Sequence, residues 1–117
     1  MTEYAILPPG DEDAWAASSA EEKASVYEKH RLFAETLAAR GHTITGGAEL
    51  ARSDTAQVVR GSLDQVTVTA GPYAESAEQL TGFYLVTSED LDDLLQVVGL
   101  LAEDEGAVEV RALVQPA

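Results

Sequence analysis

Two segments with helical apolar spacing stand among short apolar strands, and that alternation restricts the chain to a layered α+β fold. The first segment opens at Ser18-Ser19-Ala20-Glu21-Glu22. Either serine can cap a helix, with Glu21 or Glu22 returning the hydrogen bond three residues later. The helix should run to about Arg40, where Gly41 is a natural terminator because it tolerates positive φ. At 3.6 residues per turn Val26, His30, Phe33 and Leu37 share one stripe, so His30 is expected on the inward face. The second helix should be capped by Ser88 and carry Glu89 and Asp90 in its first turn, where carboxylates suit the positive helix end. Its buried stripe reads Leu91, Leu94, Leu95, Val98 and Ala102, leaving Val97 and Leu100 outside it.

The strands fill the remaining length. Residues 4–7 form a first strand, stopped by Pro8-Pro9-Gly10. Residues 43–45 begin a second, and Gly46-Gly47 predicts a bend or bulge within it. Residues 57–60 and 65–69 flank Gly61-Ser62-Leu63-Asp64, a hairpin signal. Residues 70–81 read as a loop with Gly71-Pro72 as its punctuation, 83–87 as a strand, and 107–114 as the last strand. With one hairpin set aside, the order is βαββαβ. The expectation is a ferredoxin-like sandwich with an extra β-hairpin: one antiparallel sheet, two helices on one of its faces, and a single domain over residues 1–117.

Charge removes several function classes. Seven basic residues face 21 acidic ones, for a net charge of −14. Nothing basic lies between Arg60 and Arg111. Such a surface repels phosphate backbones and anionic lipid, so neither nucleic acid nor membrane is an expected partner. The start, Met1-Thr2-Glu3-Tyr4, lacks the basic region of a signal peptide, and residues 94–102 are far too short to span a bilayer. A cytoplasmic location follows as the expectation. The chain has no cysteine, which excludes disulfides, thiolate metal sites and thiol nucleophiles.

The run Ala70-Gly71-Pro72-Tyr73-Ala74-Glu75-Ser76-Ala77-Glu78-Gln79-Leu80-Thr81-Gly82-Phe83-Tyr84-Leu85 resembles the signature loop of the YCII-related proteins, specifically their "DGPF" branch. The resemblance extends to Trp15, to Glu28-Lys29-His30-Arg31-Leu32-Phe33-Ala34, to Gly46-Gly47 and to Gly106-Ala107-Val108-Glu109-Val110-Arg111. It implies a ferredoxin-like domain that dimerises as an α/β barrel, two sheets meeting face to face. It also implies a histidine paired with an aspartate in moving protons. His30 stands at the family's helix histidine, but Ala70 stands where the signature has aspartate, and an alanine cannot orient an imidazole. Any dyad must recruit another carboxylate, and Glu75 and Glu78 are the nearest in the loop.

Two functions of different class are consistent with these residues. In one, His30 is general acid or base for a small molecule, with no cofactor, in a pocket beside residues 70–82. Glu75 and Glu78 would then supply the carboxylate, and Gly71, Pro72, Tyr73 and Tyr84 would line the ligand site. In the other, the site is degenerate and the chain is a dimeric regulatory or interaction module. The plain structural reading of His30 is a core-edge histidine satisfied by hydrogen bonding. His42 follows Gly41 in a turn and should be solvated, and two histidines so placed lack metal-ligand spacing. Asp11-Glu12-Asp13 and Glu103-Asp104-Glu105 should be solvated turns. Assembly is legible from the strands: residues 4–7 and 83–86 are apolar throughout, so the sheet's second face should be apolar and a homodimer should close over it.

Overall fold

A computed structural model of the chain describes residues 1–73 and 78–115. In order they form β1 (Thr2–Leu7), β2 (Pro9–Asp11), α1 (Glu12–Ala17), α2 (Ala20–Ala39) and β3 (Thr43–Glu49). A 3₁₀ turn (Ser53–Thr55) leads to β4 (Gln57–Ser62), β5 (Gln65–Ala70), β6 (Glu78–Leu80), β7 (Gly82–Ser88), α3 (Leu91–Glu105) and β8 (Glu109–Ala112). Four strands make one antiparallel sheet in the order β3-β7-β1-β8. That order, with α2 and α3 as the connections, is consistent with the expected ferredoxin-like α+β arrangement.

Helix α2 begins where its capping residues dictate. Ser19 Oγ accepts the Glu22 backbone N–H at 3.0 Å, and Glu22 Oε1 accepts the Ser19 N–H at 3.1 Å. Gly41, at φ +86°, follows the helix end as expected. Alternation along the strands then sorts side chains between two faces. Ile6 and Val86 point to the helices and, with Phe33, Leu37, Leu94, Val97, Val98 and Leu101, form the buried core. Tyr4, Tyr84, Val108 and Val110 pack around it. The opposite face carries Ala5, Leu7, Phe83 and Leu85 at its centre, and in this chain the sheet stays open, with no barrel closure.

Several expectations change. The buried stripe of α3 is Leu94, Val97, Val98 and Leu101, while Leu91 and Leu95 are 39% and 44% exposed. The helix is apolar on most of its circumference, so two phases fit its sequence, and docking against α2 and the sheet selects one. Val97 therefore belongs to the core. Its cap is Asp90, whose Oδ1 accepts the Asp93 N–H, while Ser88 Oγ accepts the Asp90 N–H. The stretch 70–81 is not loop throughout, because β6 pairs with β2 in a small separate sheet. Residues 11–13 are not a turn, although Asp11 and Asp13 are solvent-exposed as expected. Asp11 caps α1, Glu12 accepts from the Ser53 N–H, and Asp13 pairs with Arg52. Strands and helices of three to six residues carry too few positions for periodicity to announce them.

Candidate functional site

His30 lies one turn before Phe33 on α2, so the packing that buries Phe33 brings the imidazole to the core's edge. Its side chain is 25% exposed. Nδ1 is 2.6 Å from Tyr84 Oη, and Nε2 is 3.1 Å from Glu105 Oε1. The two rings are also stacked, 5.9 Å apart at 19°, and Phe33 meets Tyr84 edge-on at 5.1 Å. An ionised carboxylate accepts only, so Nε2 carries the proton that Glu105 receives. In the tautomer that leaves Nδ1 bare, Nδ1 is the acceptor and the Tyr84 hydroxyl donates to it. The result is a directed chain, Tyr84 to His30 to Glu105. Burial first, and the nearby Glu105 charge second, push the Tyr84 phenol above its ordinary pKa of 10.0.

Glu105 is the carboxylate that sequence reasoning missed. The sequence predicts a solvated turn there, yet Glu105 is the last residue of α3, and its side chain is only 18% exposed. Its Oε2 is buried and has no hydrogen-bond partner among the described residues. A signal existed: steps of four and three residues along the stripe Leu94, Val98, Leu101 lead to position 105. The neighbouring Glu103 and Asp104 turn outward to Lys29 Nζ, at 2.7 and 3.7 Å.

A second histidine repeats the arrangement. His42, expected in solvent, is buried: its backbone N–H reaches Leu37 O, and its side chain is 3% exposed. Nδ1 lies 2.8 Å from Ser88 Oγ and Nε2 2.8 Å from Asp93 Oδ2. The His42 hydrogen bond, with Arg40 beside it, holds the Asp93 carboxyl below its ordinary 3.8. A shallow depression of about 290 Å³ lies over this ring, lined by Ala34, Ala38, Gly41, His42, Thr43 and Ile44. With both nitrogens engaged and its serine 3% exposed, this second set is shielded from reactants.

The remaining candidates lie elsewhere. Gly71 donates its N–H to Ala56 O at 2.7 Å, closing the base of the β4–β5 hairpin. The Gly71–Pro72 bond is cis. Tyr73 is 83% exposed, with the Arg60 guanidinium 6.0 Å from its ring centre. Among the described residues no hydrogen bond, ion pair or ring contact joins Gly71, Pro72 or Tyr73 to His30. Glu75 lies outside the described residues, and Glu78 opens β6 with its backbone opposite Asp11. Of the predicted set, then, His30 and Tyr84 are brought together. No group of three or more His, Asp or Glu among the described residues is placed to hold a metal ion, and none of their helices is long and apolar enough to cross a membrane.

The model of the YCII-related domain matches residues 2–115, nearly the entire chain. The chain belongs to the YCII-related family. It is also similar to an uncharacterized protein of Rhizobium meliloti (strain 1021), 32% identical over 118 residues and covering 94% of this chain and 90% of that one. In this member of the family the carboxylate within hydrogen-bond distance of His30 is Glu105, at the end of α3.

Proposed function

We propose that this YCII-related chain, of the DGPF branch, binds a small molecule at His30 and moves a proton on it without a cofactor. The observation that carries the reading is His30 held between Tyr84 and Glu105 with a quarter of its surface open. A carboxylate that fixes one tautomer makes the opposite nitrogen the base, and Tyr84 is the group through which that base reaches outward. A net charge of −14 favours a neutral or weakly basic ligand. The apolar centre of the open sheet face, Ala5, Leu7, Phe83 and Leu85, supports a homodimer closed over that face.

The test is a fragment screen by ligand-observed and amide NMR on the wild type, His30→Gln and Glu105→Gln. Binders should shift amides around residues 30, 84 and 105 and lose at least tenfold in affinity in both variants. Fragments that bind all three proteins equally would overturn the site.

A second reading has its own support. At the root of the β4–β5 hairpin Ala70 pairs with Gln57, Gly71 bonds Ala56 and Tyr73 meets Arg60, which supports reading the signature stretch as a structural clasp. On that reading the chain is a non-catalytic dimeric module, and the screen returns no binder at His30.

A further inference from the structure

The β4–β5 hairpin is amphipathic, and its apolar face is uncovered. Its register pairs Val59 with Val68, Gly61 with Val66 and Gln57 with Ala70, placing these six on one face. Val58 with Thr69, Arg60 with Thr67 and Ser62 with Gln65 form the other, mostly polar face. Yet Val59, Val66 and Val68 are 61%, 54% and 50% exposed, and Leu63 at the tip is 89% exposed. Beyond its own two strands the hairpin packs against no other described element to any substantial extent. It projects as an arm. The radius of gyration is 16.4 Å and the extents are 48 × 47 × 18 Å, whereas a compact chain of this length has a radius near ~13 Å. An isolated two-stranded hairpin is marginal in water, so a face of valines at this spacing implies a cover supplied from outside the chain.

We infer that the cover is a second copy of this chain, each protomer laying its arm on the other. Charge selects this occupant. Residues 57–70 contain Arg60 and Asp64 and are neutral, so the whole −14 resides outside the arm. The arm can therefore approach an equally acidic copy without the repulsion that the rest of the surface would meet. Area selects a supporting role. Six-residue strands run about 20 Å and a pair is about 10 Å across, so each arm offers about 200 Å². Two arms and the surfaces they cover amount to roughly 800 Å², about half of a standard interface. The arms thus clamp a dimer whose other half is the open sheet face, and the inference rests on that proposed dimer.

The experiment is a dilution series by light scattering and sedimentation on the intact chain and two variants. One is the arm triple Val59→Ser/Val66→Ser/Val68→Ser, and the other is Leu85→Glu on the sheet face. The wild type should be a dimer, the arm triple should raise the dissociation constant at least tenfold with its far-ultraviolet dichroism otherwise kept, and Leu85→Glu should be monomeric. A photo-crosslinking residue at position 63 of the otherwise intact chain should yield a dimer-sized adduct, which guards against misfolding of the arm triple. A dimer unaffected by the arm triple, or no intermolecular adduct from position 63, overturns the arm and leaves the sheet-face dimer standing. A dimer unaffected by Leu85→Glu but lost in the arm triple overturns the sheet-face reading instead. A wild-type monomer overturns both.

Discussion

Tyr84 and Ser88 stand four residues apart on the helix-facing side of β7, and each presents its hydroxyl to Nδ1 of a different histidine. Behind each imidazole is a carboxylate from α3: Glu105 at its last turn for His30, Asp93 at its first for His42. Two hydroxyl–imidazole–carboxylate pins therefore fasten both ends of α3 to β7. Ser88→Ala removes the donor to a buried ring and the acceptor of the Asp90 N–H, and should cost about 2 kcal/mol. Tyr84→Phe acts at the more exposed pin and should cost about 1 kcal/mol. Denaturant unfolding of the two variants checks the order; a harmless Ser88→Ala would mean that the inner pin bears no strain.

The inner pin also sets a response to acid. His42, and then Arg40, hold the Asp93 carboxyl below its ordinary 3.8. A carboxyl depressed in the folded chain contributes stability that is present above the unfolded value and lost as pH falls through the folded one. Stability should therefore fall below about pH 4, and Asp93→Asn should flatten part of that acid limb. Urea midpoints measured between neutral and acid pH give the comparison. If wild type and Asp93→Asn trace parallel curves, the pairing has no energetic consequence.

At the outer pin the response runs the other way. Tyr84 is raised above 10.0 by burial and by Glu105. A raised group stabilises the fold fully below its unfolded value and ceases to do so as pH rises through the folded one, so this contribution disappears only above about pH 10. Glu105→Gln leaves the burial and removes the charge. The phenol should then titrate lower than in the wild type while staying above the ordinary value. Phenolate absorbance, with Tyr84→Phe identifying its share, reads this directly, and an unmoved titration would show that Glu105 does not act on Tyr84.

These pins explain what the sequence made legible and what it did not. The capping box of Ser19 and Glu22, the terminator Gly41, the bulge at Gly46 and the hairpin about Leu63-Asp64 are local, each requiring only a few adjacent residues. His30 was placed correctly because helical periodicity is local as well. The partners of both histidines lie 46 to 75 residues away, across three elements, and no spacing rule connects them. His42 shows the cost most clearly, since a residue after a helix-ending glycine reads as solvent until β7 and α3 close over it. The phase of α3 is ambiguous for a related reason: its apolar arc is wider than the face it buries, so packing rather than pattern decides which part is covered.

The glycine pair of β3 gives a test that joins fold and site. Register shifts between Ile44 and Gly46, and Gly47 then lies opposite Tyr84 at φ +140°. A Cβ at Gly47 would collide with Phe83 O and meet Tyr84 Cα at 3.0 Å, both backbone atoms that cannot turn aside. Gly47→Ala must then push β3 away from β7 as well as strain its own φ, a loss of about 2 kcal/mol or more. At Gly46 the nearest atom is Leu85 Cδ1 at 3.4 Å, on a side chain that can yield, so Gly46→Ala should stay within about 1 kcal/mol. Because Gly47 abuts the strand that carries Tyr84, its variant should also shift the ring resonances of His30, and Gly46→Ala should leave them in place. Equal unfolding midpoints and identical His30 spectra for the two variants would show that the close approach of β3 to β7 is not what holds Tyr84 against His30.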